Sequence, residues 1–154
     1  MADPFKTDDD RTTAVGLYHY ARSYHDAAKA LEAANVRTTH AHAPISFLYF
    51  HAIELFLKTY LRLHAHTVED LEKKFRHDIK RMRKRVTALG FDLMDEDLEV
   101  FAYMEQTDIV MKSRYIRTGA FRTPTTEALE RTATSLRETT CAAVRQITGV
   151  RVRP

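Results

Sequence analysis

Between Pro44 and His66 the chain carries Phe47, Leu48, Phe50, Ile53, Leu55, Phe56, Leu57 and Leu61. Wound into a helix, these residues fall on nearly every side of it, and a helix that is apolar all round must be surrounded by other elements. Pro44 suits its first turn, where a missing N–H would have had no intrahelical partner. The segment is therefore expected at the centre of a bundle. It is not a membrane span, because His51, Glu54 and Lys58 interrupt the apolar run short of the roughly 20 residues a bilayer requires. At 3.6 residues per turn these three share an arc of roughly 60°, so one polar line runs along the central helix. That line must face solvent or a polar pocket between helices.

The other segments supply its neighbours. With only four Gly and four Pro, the chain has few breaks, which favours long helices over many short strands. A first helix spans about Thr12 to Ala34, capped by Asp10, with Leu17, Ala21, Tyr24, Ala28 and Leu31 at helical spacing. After the second, Thr67 caps a short helix through Phe75, and Asp78 caps another, Ile79 to Leu89, stopped by Gly90. A fourth runs from Asp95 to about Arg117, with Leu98, Ala102, Ile109 and Ile116 on an apolar face that Glu105 and Lys112 share. A fifth follows Thr123 and Pro124, with Leu129, Ala133, Leu136, Val144 and Ile147 facing the core. The whole reads as one all-α domain over residues 1–154, an antiparallel up-and-down bundle of four to five helices, with 1–10 and 150–154 flexible.

Charge and composition narrow the function. A net charge of +3 does not by itself imply a nucleic-acid partner, and the lone Cys141 closes no intrachain disulfide. The acidic start, Met1 to Asp10, lacks the apolar core of a signal peptide, so a cytoplasmic protein without a membrane partner is expected. The strongest asymmetry lies in Lys73, Lys74, Arg76, Lys80, Arg81, Arg83, Lys84 and Arg85, against the single acid Asp78. Phe75, Ile79, Met82 and Val86 take one side of that stretch. The cations then form a broad outer face that either contacts phosphates or pairs with the acidic run Asp92 to Glu99. Two cross-bundle pairs, Lys58 with Glu105 and Glu54 with Lys112, would satisfy the central stripe. No cofactor or metal is expected, since a di-metal bundle uses two Glu-x-x-His helices and this chain offers one reversed His51-x-x-Glu54.

The run Ala52-Ile53-Glu54-Leu55-Phe56-Leu57-Lys58, followed by Arg76-His77-Asp78-Ile79 and then Arg114-Tyr115, resembles the HEPN superfamily over about Ser46 to Gly119. The resemblance implies a helical bundle, frequent homodimerisation, and a role in RNA processing, toxin–antitoxin pairs or nucleotide signalling. A partner would be RNA, a nucleotide, a cognate nucleotidyltransferase or an antitoxin protein. The ribonucleases of that superfamily carry an Arg, four to six residues and a His late in the chain, whereas the last histidine here is His77. Arg37 and His42 have that spacing but fall in the loop before Pro44. The resemblance thus implies a non-catalytic or divergent binding module, probed at His51, Glu54, Lys58, Asp78, Lys112 and Tyr115, with Lys73 to Lys84 as a nucleic-acid face. The alternatives are a metal-independent endoribonuclease using His77 and Arg114, and a purely structural partner-binding protein. At His77 the plain alternative is that Asp78 caps the next helix while the imidazole fixes the corner.

Overall fold

The structure is a computed structural model that describes residues 7–106, 115, 116 and 123–154. All regular structure among these is helical: α1 (Asp8–Arg11), α2 (Ala14–Ala33), α3 (His42–Leu63), α4 (Asp70–Phe75), α5 (Ile79–Ala88), α6 (Asp95–Gln106) and α7 (Thr126–Thr148). The chain is an all-α bundle.

At the N-terminal end the caps differ from expectation. Thr13, not Asp10, opens the first long helix, its hydroxyl accepting from the Gly16 N–H at 3.0 Å. Asp10 belongs to the separate turn α1, where Thr7 and Asp10 cap each other's backbone reciprocally. That turn is tied down: Asp9 Oδ1 accepts from the Val68 N–H at 2.7 Å, and the Arg62 guanidinium donates to the Asp9 and Thr12 carbonyls. Residues 7–10 are thus part of the fold.

α3 starts at His42, which places His42 on a helix, and Pro44 sits in its first turn. Twelve of its residues are buried, among them Ile53, Phe56, Leu57 and Leu61. It packs on α2, α7 and α5, as an all-round apolar helix must. α2 runs antiparallel to it, with Tyr18 against Phe56 and His25 against Tyr49. The buried face of α2 is Tyr18, Ala21, His25 and Ala28, while Leu17, Tyr24 and Leu31 lie at its margin.

After α3 the chain turns at Ala65, and Thr67 and Asp70 form a second reciprocal cap. α4 is a π-helical turn that buries Leu71 and Phe75. It closes when the Arg76 N–H donates to the Leu71 carbonyl at 2.9 Å. Arg76 takes φ 50° and ψ −111°, a left-handed conformation costly for a residue with a Cβ. Asp78 then caps α5 through the Arg81 N–H at 2.9 Å, and Gly90 at φ 94° ends it, both as expected. Ile79, Met82 and Val86 point inward.

Two further expectations are corrected. The inner face of α6 is Asp97, Val100, Phe101 and Met104, whereas Leu98 and Ala102 are exposed. Ile109 and Lys112 lie outside the described residues, and Ile116 is exposed. In α7, capped by Thr125, the inner set includes Leu129, Ala133, Leu136 and Val144, but Ile147 is half exposed. The tail after Gly149 does not lie free: Val152 is buried and its carbonyl accepts from Arg145 Nε at 2.8 Å. Tyr18 donates to the Arg153 carbonyl at 2.7 Å.

Candidate functional site

The polar line of α3 contains both of its anticipated environments. Glu54 is 1% exposed, while His51 and Lys58 are half-buried. Burying a lone carboxylate is costly, so it must be paired. Two donors meet it. Lys58, one turn along the same helix, gives Nζ to Oε1 at 2.7 Å, and His77 places Nδ1 3.0 and 3.1 Å from the two carboxylate oxygens. A Glu placed four residues before a Lys is the favoured helical order, and it makes the internal pair easier to form than the expected link from Lys58 to Glu105. Glu105 instead receives the Arg83 guanidinium from α5. The expected Glu54 to Lys112 pair lies outside the described residues, as does Arg114.

His77 is delivered by the α4–α5 corner. The strained Arg76 backbone and the Asp78 cap bracket it, so its ring enters the bundle at a fixed point. With the carboxylate on Nδ1 that nitrogen carries a proton, and Nε2 is the atom left for other chemistry. Its side chain is 35% exposed. The sequence had named these three residues, but as members of different pairs. Tyr115 is fully on the outside and Asp78 serves as a cap.

Farther along the same line, His51 meets rings. Tyr24 stands edge-on to it at 4.3 Å between centroids, Phe47 lies parallel at 6.1 Å, and Tyr20 is edge-on at 6.5 Å. Tyr20 and Tyr24 also touch through their hydroxyls at 3.3 Å. This aromatic group was missed in the sequence. Its signal was two pairs at i,i+4 spacing, Tyr20/Tyr24 and Phe47/His51, on consecutive antiparallel helices.

The basic run divides once its partners are placed. Lys73 pairs with Glu69, Arg81 with Asp78 and Arg83 with Glu105. Lys74 lies 5.5 Å above the Phe75 ring. Arg85 donates to Nε2 of buried His66, whose Nδ1 faces Asp70 at 3.3 Å. Arg76, Lys80 and Lys84 are exposed and form no ion pair among the described residues. Among the described residues no ion pair joins the acidic run to this face, and Asp97 turns inward to cap its own helix at Met94 and to accept from Ser135 at 2.8 Å. The Arg83–Glu105 bond raises the guanidinium pKa further above its ordinary value.

No three His, Cys, Asp or Glu side chains among the described residues converge as a metal-holding group. No helix among the described residues is long and apolar enough to cross a membrane. Compared with known families, curated proteins and solved structures, the chain matches none.

Proposed function

We propose that the chain is a divergent HEPN-like module, dimeric and without nuclease activity of its own, that binds RNA through the outer face of α5 and the turn before it. The observation that carries this is the exposed set Arg76, Lys80 and Lys84, left without carboxylate partners among the described residues. Lys80 and Lys84 are one turn apart on one stripe, and Arg76 precedes them at the corner. Cations that are not internally neutralised can contact phosphates and release their counterions. The buried Cys141 fits a reducing, cytoplasmic setting.

A second reading, a metal-independent endoribonuclease, draws on the Glu54–His77 pair. A carboxylate on Nδ1 orients the imidazole and supports proton transfer at Nε2. This reading also requires a cation such as Arg114 to hold the phosphate.

Incubation of the purified protein with RNA in the presence of a chelator separates the two. Salt-sensitive binding without cleavage supports the first. Cleavage that His77→Ala abolishes, with helicity and mass unchanged, overturns it in favour of the second. A protein that does neither, and that is a stable monomer at micromolar concentration, contradicts both the RNA and the dimer assignments.

A further inference from the structure

The segment that follows α7 docks on α7 and α2 mainly through its backbone. Arg151 and Arg153 are exposed, and Val152 alone is buried, at 2% exposure. Three consecutive carbonyls make the polar contacts. The Val152 carbonyl accepts from Nε and Nη2 of Arg145, with the Cys141 thiol at 3.8 Å. The Arg153 carbonyl accepts from the Tyr18 hydroxyl at 2.7 Å, and the Pro154 carbonyl from the Arg137 guanidinium at 2.8 Å. The two guanidinium groups differ in one respect. Arg137 also donates to Asp26 at 2.6 Å, whereas Arg145 has no carboxylate partner among the described residues. A fork of two N–H groups that matches a carboxylate is thus spent on one neutral oxygen. The residue that carries this oxygen is also the one whose side chain fills the apolar seat beside Cys141.

We propose that this seat receives the free carboxylate end of another protein, one whose last side chain is small and aliphatic, with residues 150–154 as its tethered competitor. A chain that ends at the buried position puts its second carboxylate oxygen where the Arg153 nitrogen now stands, on the same planar carbon, so no new space is needed. Arg145 then makes two charge-assisted bonds to ionised oxygens, each roughly twice as strong as a bond to a neutral carbonyl. Arg137 keeps Asp26 when the last two carbonyls leave. A Glu or Asp inside a partner's chain fits less well, because its carboxylate comes without an aliphatic group beside it. The tail's own advantage is its tether, which gives it an effective concentration on the order of millimolar and lets it hold the seat until such an end is present. None of these residues belongs to the α5 face, so the proposal stands apart from the RNA-binding reading.

The probe is an N-acetylated tetrapeptide copying residues 149–152, as the free acid and as the C-terminal amide. It is titrated against the full chain as wild type, as Val152→Ser, and as Val152→Ser with Arg145→Gln. Serine removes the apolar anchor of the tail and frees the seat. Val152→Ser should bind the acid at least about tenfold tighter than the amide, and Arg145→Gln should abolish that difference. Wild type should bind the acid more weakly than Val152→Ser, because the intact tail competes. In wild type, excess acid should also speed amide exchange at Val152, whose N–H is held by the Val150 carbonyl at 3.1 Å. Equal binding of acid and amide, or binding of neither by a Val152→Ser chain of native helicity, overturns the proposal. Should that variant lose its helicity, exchange in wild type decides: an unchanged rate at Val152, with the acid in excess of the tail's effective concentration, overturns it as well.

Discussion

Acid should unfold this protein partly through one residue, His25. It is 1% exposed, its Nδ1 faces the Arg137 guanidinium at 3.2 Å, and Lys29 adds a second positive charge nearby. Burial, then Arg137 and Lys29, push its pKa from 6.5 down to about 4, against a smaller opposing pull from Asp26. The unfolded chain accepts this proton below about pH 6.5, while the folded chain refuses it until about pH 4. Stability is therefore fully present above pH 6.5 and is lost as pH falls towards 4. At about 1.4 kcal/mol per pH unit over this window, the loss is on the order of 3 kcal/mol. Urea unfolding at pH 7 and pH 4 should show wild type losing about 2–3 kcal/mol more than His25→Asn. Asn retains an acceptor for Arg137 but does not titrate, and the carboxylates common to both proteins cancel. Equal losses in the two proteins would show that His25 is hydrated in the native state, and the burial argument would fail.

Other perturbations read other parts of the fold. Glu54→Ala should cost about 3 kcal/mol in urea unfolding, because it strands Lys58 and His77 against the core, whereas Glu54→Leu with Lys58→Met should restore most of it. Gly90→Ala should cost about 1–2 kcal/mol from its φ of 94° alone, since nothing lies within 4 Å of the added carbon. Val152→Ala should cost about 1–2 kcal/mol and speed amide exchange at the end of α7, where Arg145 now holds the tail. Asp78→Ala should cost about 1 kcal/mol and loosen the His77 corner.

What could be read from the amino acids followed their local physics. The apolar girth of α3 placed it at the centre, Asp78 and Gly90 bounded α5, and Ile79, Met82 and Val86 faced inward, because each depends on residues within a turn or two. α6 was misphased. Leu98 and Ala102 compete with Val100, Phe101 and Met104 for the inner side, and only the packing of α6 on α7 and α5 decides between them. Asp97 looked like a surface acid but is buried, because Ser135 on α7 supplies its donor. His25 in the core depends on Arg137, 112 residues away. The central stripe was visible as a set, but its pairing was not. The i,i+4 bond from Lys58 to Glu54 competes with any cross-bundle partner, and the approach of His77 depends on the strained turn at Arg76.

The most direct test of the RNA-binding assignment is the affinity for single-stranded RNA as a function of salt. With Arg76, Lys80 and Lys84 each neutralising one phosphate, log K should fall with log salt with a slope of about −2, and Lys80→Glu with Lys84→Glu should flatten it. A slope near zero, or a slope unchanged in that variant, would contradict it.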